Sequence, residues 1–292
     1  MIDGRITKGI GGFYYVETEE GILECKARGL FRLKNLIPTV GDLVSVEKKN
    51  DKEGTIVDIK ERKNYLIRPP VANVELAVIV FSLLKPEPNI YLLDRFIAAI
   101  EKEELDIVLC FNKSDIASEE QKRIIKIYED IGFPVVVTSA ETGEGIRGLK
   151  ELIRGKISVF AGPSGVGKSS LLNELENSLN LKTGEISDKL NRGKHTTRHV
   201  ELLKLDSGGY VLDTPGFTSF EITDIDEKML QFYFPEFTSF IGRCKFNGCF
   251  HMNEPDCRIK EAVEMKNIHP SRYKSYYSMM DEIIEYRRQM YD

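Results

Sequence analysis

Lys156–Asn177, KISVFAGPSGVGKSSLLNELEN, is the stretch whose reading decides the fold. An apolar run, a glycine-rich turn and a segment of helical character follow one another. That strand–loop–helix context is the one a phosphate-binding loop requires. The turn is Gly162-Pro163-Ser164-Gly165-Val166-Gly167-Lys168-Ser169-Ser170. Its glycines let backbone N–H groups close around phosphate oxygens, and the start of the helix favours their negative charge. Lys168 is placed to reach the β- and γ-phosphates, and Ser169 to ligand Mg²⁺. The loop does not name the base.

GPSGVGKS also resembles the loop of guanylate kinases, so a nucleotide monophosphate kinase competes with a nucleotide hydrolase. Three further segments decide between them. Asn112-Lys113-Ser114-Asp115 follows the apolar run DIVLCF, and ligands gather at the carboxyl ends of parallel strands. The Asp115 carboxylate can accept both the N1–H and the 2-amino group of guanine, which adenine does not offer. Asn112 can bond N7, and the aliphatic stem of Lys113 can cover the ring. One strand later, Ser139-Ala140 offers a backbone N–H to guanine O6. Asp213-Thr214-Pro215-Gly216 closes the run YVLDTPG. There the Asp can hold Mg²⁺ through water and the Gly216 N–H can meet the γ-phosphate.

Gly193–His199, GKHTTRH, lies where a switch loop supplies a threonine hydroxyl to Mg²⁺ and the γ-phosphate. Thr197 is the favoured ligand and Thr196 the near alternative. Phe217 follows Gly216 where many GTPases carry a water-orienting Gln. A phenyl ring cannot orient water, so hydrolysis is slow in isolation or another group does that work. His195 is the nearest polar candidate in sequence.

The guanine motif stands before the phosphate loop, whereas ordinary small GTPases have the reverse order. The old ends are in effect joined and a new break made elsewhere, so the central segment reads as a circularly permuted GTPase domain. Alternating apolar runs and helical periods from Val74 onward, such as ELAVIVF, YLLDRFIAAIEKE and PVVVTSA, give an α/β domain with a mainly parallel sheet covered on both faces.

The flanks differ. Residues 1–65 hold five short β-branched and aromatic runs separated by Gly, Pro and charged breaks, which fits an all-β, oligonucleotide-binding-like barrel. Phe13, Tyr14 and Tyr15, with Arg28, Arg32 and Lys34 nearby in sequence, suit base stacking and phosphate contact, or equally barrel filling and solvation. Glu61–Asn73 contains Arg68-Pro69-Pro70 and reads as a linker without regular structure. The expected boundaries are therefore 1–65, 66–225 and 226–292, the last mainly helical after an irregular start.

That last segment contains Cys244-x4-Cys249-x-His251-x5-Cys257. Three thiolates and one imidazole suit tetrahedral zinc, and four protein ligands leave no open position, which describes a structural site. Cys25 and Cys110 sit in predicted strands and read as core residues.

Composition sets limits. With 292 residues, 41% apolar and 30% charged, the chain reads as soluble and multidomain. It has neither an apolar run of membrane-spanning length nor the apolar core of a signal peptide, and its cysteines do not form a secreted disulfide framework. The cytoplasm is the expected compartment. Net charge is −5, which by itself disfavours a nucleic-acid partner. Yet residues 1–65 carry 12 basic against 11 acidic side chains and residues 226–292 carry 10 against 11, so the acidity sits in the middle. Charge alone leaves the partner undecided.

Taken over the whole chain, the permuted motif order with the CxxxxCxHxxxxxC cluster resembles the circularly permuted ribosome small-subunit-dependent GTPase A family (RsgA, YjeQ, YloQ). The resemblance implies GTP hydrolysis to GDP and phosphate, stimulated by the small ribosomal subunit, in late maturation of that particle. It implies one structural zinc, Mg²⁺ with GTP, rRNA and the small subunit as partners, no membrane, and a monomer. The apolar residue after DTPG agrees with the family. Two other classes stay open: a nucleotide kinase, which leaves NKSD unexplained, and a GTP-gated RNA-binding scaffold.

Overall fold

In the computed structural model, the described residues are all of 1–292 except Leu30, 32–35, Arg68, 177–199, 214–221 and Asp292. Five N-terminal strands close on themselves. They are β1 (Ile2–Ile10), β2 (Phe13–Thr18), β3 (Gly21–Ala27), β4 (Leu43–Lys48) and β5 (Glu53–Ile59). β1 pairs antiparallel with β2 and with β4, β2 antiparallel with β3, β3 parallel with β5, and β5 antiparallel with β4. The ring has no free edge, as a barrel requires. Ile6, Val16, Leu23, Cys25, Val44, Val46 and Ile56 fill it, all buried. They sit at alternate strand positions because side chains in a strand point to opposite faces in turn.

The segment expected to lack regular structure is a hairpin. β6 (Tyr65–Ile67) pairs antiparallel with β7 (Pro70–Ala72). A two-stranded ribbon is all edge, so a proline that cannot donate is tolerated there. Buried Leu66, Val71 and Ala72 hold the hairpin down.

The chain divides into two compact units, Met1–Val78 with Ile146–Phe160 and Lys168–Phe217, and Ile79–Gly145 with Ala161–Gly167 and Thr218–Asp292. In the first unit the barrel continues through β1 into β12 (Glu201–Lys204), which pairs antiparallel with β13 (Tyr210–Asp213), itself parallel to β11 (Ile157–Ala161). Helices α3 (Ile146–Ile153) and α4 (Lys168–Leu175) belong to this unit and bury Leu149, Ile153, Leu171, Leu172 and Leu175.

β8 (Leu76–Ser82) carries the chain into the second unit, and all seven of its residues are buried. That is why it reads as a continuous apolar run. In the second unit it is followed by α1 (Ile90–Lys102), β9 (Asp106–Asn112), α2 (Arg123–Ile131) and β10 (Val135–Val137), which is parallel to β9. α1 starts cleanly because the Asn89 side chain accepts from the Leu92 N–H. The C-terminal part holds short 3₁₀ turns, α5 (Arg258–Glu264) and the long α6 (Pro270–Tyr291). Its core includes Phe234, Phe237, Tyr276, Met279, Met280 and Ile283. Among the described residues no helix is long and apolar enough to cross a membrane.

Candidate nucleotide site and metal centre

The phosphate loop keeps its shape through glycines that no other residue could replace. Gly162 leaves β11 with φ +136°, and a Cβ there would lie 2.1 Å from the Val80 carbonyl oxygen. Gly167 has φ +97°, and its Cβ would lie 2.4 Å from Asn112 Nδ2. Both backbone conformation and space exclude a side chain at these positions. Pro163, Ser164, Gly165 and Val166 form the intervening turn, with Val166 buried and Ser164 and Gly165 exposed. Lys168, Ser169 and Ser170 open α4. Burial pushes the Lys168 ammonium down to about 8, as expected of a charge withdrawn from water.

The guanine motif is tied to that loop. Asn112 ends β9 and is buried. Its Nδ2 donates to the Val166 carbonyl at 2.9 Å, while Oδ1 accepts from the Thr138 hydroxyl at 3.2 Å and the Ala140 N–H at 3.3 Å. Lys113, in the left-handed conformation with φ +64°, extends its ammonium to the carbonyl oxygens of Gly165, at 2.8 Å, and Lys85. One motif thus binds two loops together.

Asp115 is exposed. One carboxylate oxygen accepts from Ser139 Oγ at 2.7 Å. The Ala140 N–H is directed at Asn112 Oδ1 over a long 3.3 Å. Ser114 donates to Glu144 Oε2 at 2.6 Å, and the Ser139 N–H donates to the Glu144 carbonyl at 3.0 Å. Glu144 therefore joins the two base-side segments. Sequence reasoning missed it and Thr138, since only the folded chain shows which hydroxyl faces which carboxylate.

Asp213 ends β13. His195, Thr196, Thr197, Gly216 and Phe217 lie outside the described residues.

The cysteine and histidine cluster does come together. Cys244, Cys249, His251 and Cys257 place one ligand atom each within 4.8 Å of one another. Cys244 Sγ is 3.5 Å from His251 Nδ1 and 3.9 Å from Cys257 Sγ, and His251 Nδ1 is 3.3 Å from Cys257 Sγ. Ligands at ordinary zinc–sulfur and zinc–nitrogen distances define tetrahedral edges of about 3.5–3.8 Å. The donor set and its spacing can hold a metal ion. Burial pushes the Cys249 thiol up to about 12 and holds His251 below its usual range. That burial favours the neutral imidazole, the form with a lone pair to give.

The backbone of the knuckle is fixed from several sides. The Glu254 carboxylate accepts the Phe250 and Met252 N–H groups at 2.7 and 2.8 Å. Tyr276 and Tyr273 donate their hydroxyls to the Phe250 and His251 carbonyls at 3.0 and 2.8 Å.

On the barrel, Phe13, Tyr14 and Tyr15 are half-buried. The Lys26 ammonium lies 4.8 Å from the Phe13 ring centre, Tyr15 donates to Glu24 at 3.1 Å, and Arg28 pairs with Glu47 at 2.8 Å. Arg32 and Lys34 lie outside the described residues.

Comparison with known proteins adds an independent line. The family model described as RsgA GTPase matches residues 59–223, and that described as RsgA N-terminal domain matches residues 3–56. A protein of Caldanaerobacter subterraneus subsp. tengcongensis named small ribosomal subunit biogenesis GTPase RsgA is 54% identical over 291 residues, covering 99% of this chain and 98% of that protein. A protein of the same name from Clostridium beijerinckii is 48% identical over 97% of this chain and 98% of its own length. Among solved structures, YjeQ from Thermotoga maritima superposes with a TM-score of 0.86 at 42% identity over 97% of this chain and 98% of that chain. YloQ, described as a circularly permuted GTPase, gives 0.82 at 38% identity over 98% and 96%.

Proposed function

The chain belongs to the RsgA GTPase family, and we propose that it binds the small ribosomal subunit, assists its late maturation and hydrolyses GTP to GDP and phosphate under stimulation by that particle. The observation that carries the GTP reading is the double tie between Asn112-Lys113 and the phosphate loop at Val166 and Gly165. A base-recognition motif and a phosphate cradle are held at fixed separation, as one nucleotide requires. Loop Gly162–Ser170 takes the phosphates, Asn112–Asp115 with Ser139 and Ala140 takes guanine, and Ser169, Thr197 and Asp213 hold Mg²⁺, which would neutralise charge on the phosphates. Gly216 meets the γ-phosphate and His195 acts on the attacking water.

The domain organisation we favour is a barrel at 1–65 that contacts rRNA, the permuted GTPase domain at 66–225, and a zinc-binding domain at 226–292. One zinc held by Cys244, Cys249, His251 and Cys257 stabilises that last segment by tying its backbone, because metal binding contributes directly to folding. A soluble cytoplasmic monomer is the form that suits a particle-bound assembly factor. Phosphate release measured with and without purified small ribosomal subunits tests the reading. Turnover unaffected by subunits would leave a GTPase with some other partner, and no turnover in either condition would favour a GTP-gated scaffold.

A further inference from the structure

The 3₁₀ turn Leu230–Tyr233 carries a side chain with no part in the nucleotide chemistry. Gln231 places Oε1 3.0 Å from His251 Nε2, and its Nε2 donates to the Lys228 carbonyl at 3.0 Å. The second contact settles the first. A carbonyl oxygen can only accept, so the amide nitrogen must face Lys228 and the amide oxygen must face His251. An amide oxygen also only accepts, so His251 Nε2 must carry the hydrogen. A neutral imidazole protonated at Nε2 has its lone pair on Nδ1. Nδ1 is the atom 3.3 Å from Cys257 Sγ and 3.5 Å from Cys244 Sγ.

We infer that Gln231 is a positioning residue for the metal centre: it holds His251 in the Nε2–H form and so presents Nδ1 to the ion. The inference rests on the zinc reading given above. With the His251 carbonyl held by Tyr273 and its backbone in the left-handed region at φ +61°, ring rotation and tautomer are the freedoms that remain, and Gln231 acts on both. Outer partners of this kind orient ligating histidines generally, and their loss costs about 10–100-fold in metal affinity. The turn also lies between Asp213–Gly216 and the knuckle in sequence, so the metal's outer partner comes from the strip of chain that joins GTPase motifs to knuckle.

The test uses the full-length chain purified with zinc. Nitrogen-15 spectra of the histidines in the parent should show His251 with Nε2 protonated and Nδ1 bound to metal. Gln231→Leu, which keeps the bulk and removes the acceptor, should lower zinc affinity about 10–100-fold in competition with a chromogenic chelator. Gln231→Glu, which restores an acceptor, should hold zinc more tightly than Gln231→Leu. A parent spectrum with Nε2 on the metal overturns the inference whether or not any variant folds. Parental zinc affinity in Gln231→Leu overturns it too, while leaving the zinc site intact. A parent without bound zinc overturns the zinc reading itself.

Discussion

Arg272 and Asp94 meet at 2.5 Å although 178 positions separate them. Arg272 lies on α6 and is wholly buried. It also grips Glu236 through two nitrogens at 2.6 and 3.2 Å, and its guanidinium lies 4.6 Å from the Phe234 ring centre. Tyr128, on α2, donates to the same Asp94 oxygen at 2.8 Å. One cation therefore joins α1, α2, the 3₁₀ region and the C-terminal helix.

Removing one partner of such a buried pair strands the other without water, which costs about 3–5 kcal/mol. Arg272→Met should lower stability by that amount, read as a shift in the urea midpoint. Asp94→Asn should cost less, because its amide oxygen still accepts from the guanidinium. Equal midpoints for Arg272→Met and the parent would show that the cluster contributes specificity without stability.

Ser139 donates to the Asp115 carboxylate at 2.7 Å, and in the proposed function that carboxylate takes the base amine. Asp115→Asn should weaken GTP binding and shift preference toward xanthosine triphosphate, whose oxo group can accept from the new amide. Sites built on polar pairing discriminate by several powers of ten when a partner is lost. Unchanged guanine selectivity in competition binding would remove Asp115 from the base site.

At Gly167 a methyl group would meet Asn112 Nδ2 at 2.4 Å in a backbone conformation that disfavours side chains. Strain of about 1–3 kcal/mol falls on the contact between loop and guanine motif. Gly167→Ala should therefore lose about 10–100-fold in GTP affinity by calorimetry, whereas Gly148→Ala, which has open space at the Cβ and lies outside the left-handed region, should lose far less.

Burial puts Lys168 at about 8 in the nucleotide-free protein. A bound triphosphate favours the ammonium and raises that value, so binding above pH 8 requires proton uptake. GTP affinity should be full below about pH 8 and fall as pH rises through it. Lys168→Arg, whose guanidinium keeps its proton, should flatten that profile, and a parent profile level from pH 7 to 9.5 would refute the linkage. Lys168→Ala should bind and turn over GTP poorly at every pH.

His195 and Phe217 lie outside the described residues; in the proposed function Phe217 leaves the attacking water without its usual guide. His195→Ala should keep GTP affinity and the slow basal rate while losing most of the subunit-stimulated rate in single-turnover assays. A full stimulated rate would exclude catalysis by His195, and a loss of subunit binding would assign it to RNA contact.

The sequence by itself determined whatever depends on neighbours along the chain. The glycine turn at Gly162–Gly167 was legible because its positive φ angles are a local backbone demand. The metal cluster was legible because four ligands within fourteen residues need only a short, inexpensive loop closure. The β-branched and aromatic runs of residues 1–65 reported strands, and the unbroken apolar run of β8 reported that both its faces are buried. The hairpin at Tyr65–Ala72 was misread, since the rule against proline in strands fails where every position is an edge. Pairings between distant segments were decided by tertiary structure alone: Arg272 with Asp94, Ser114 with Glu144, Asn112 with Thr138 and Val166, Gln231 with His251. Each joins polar groups whose sequence neighbours give no sign of the partner. The pairing forms because packing of the apolar faces first brings the segments together, and a polar group buried by that packing must then find its hydrogen bond within reach.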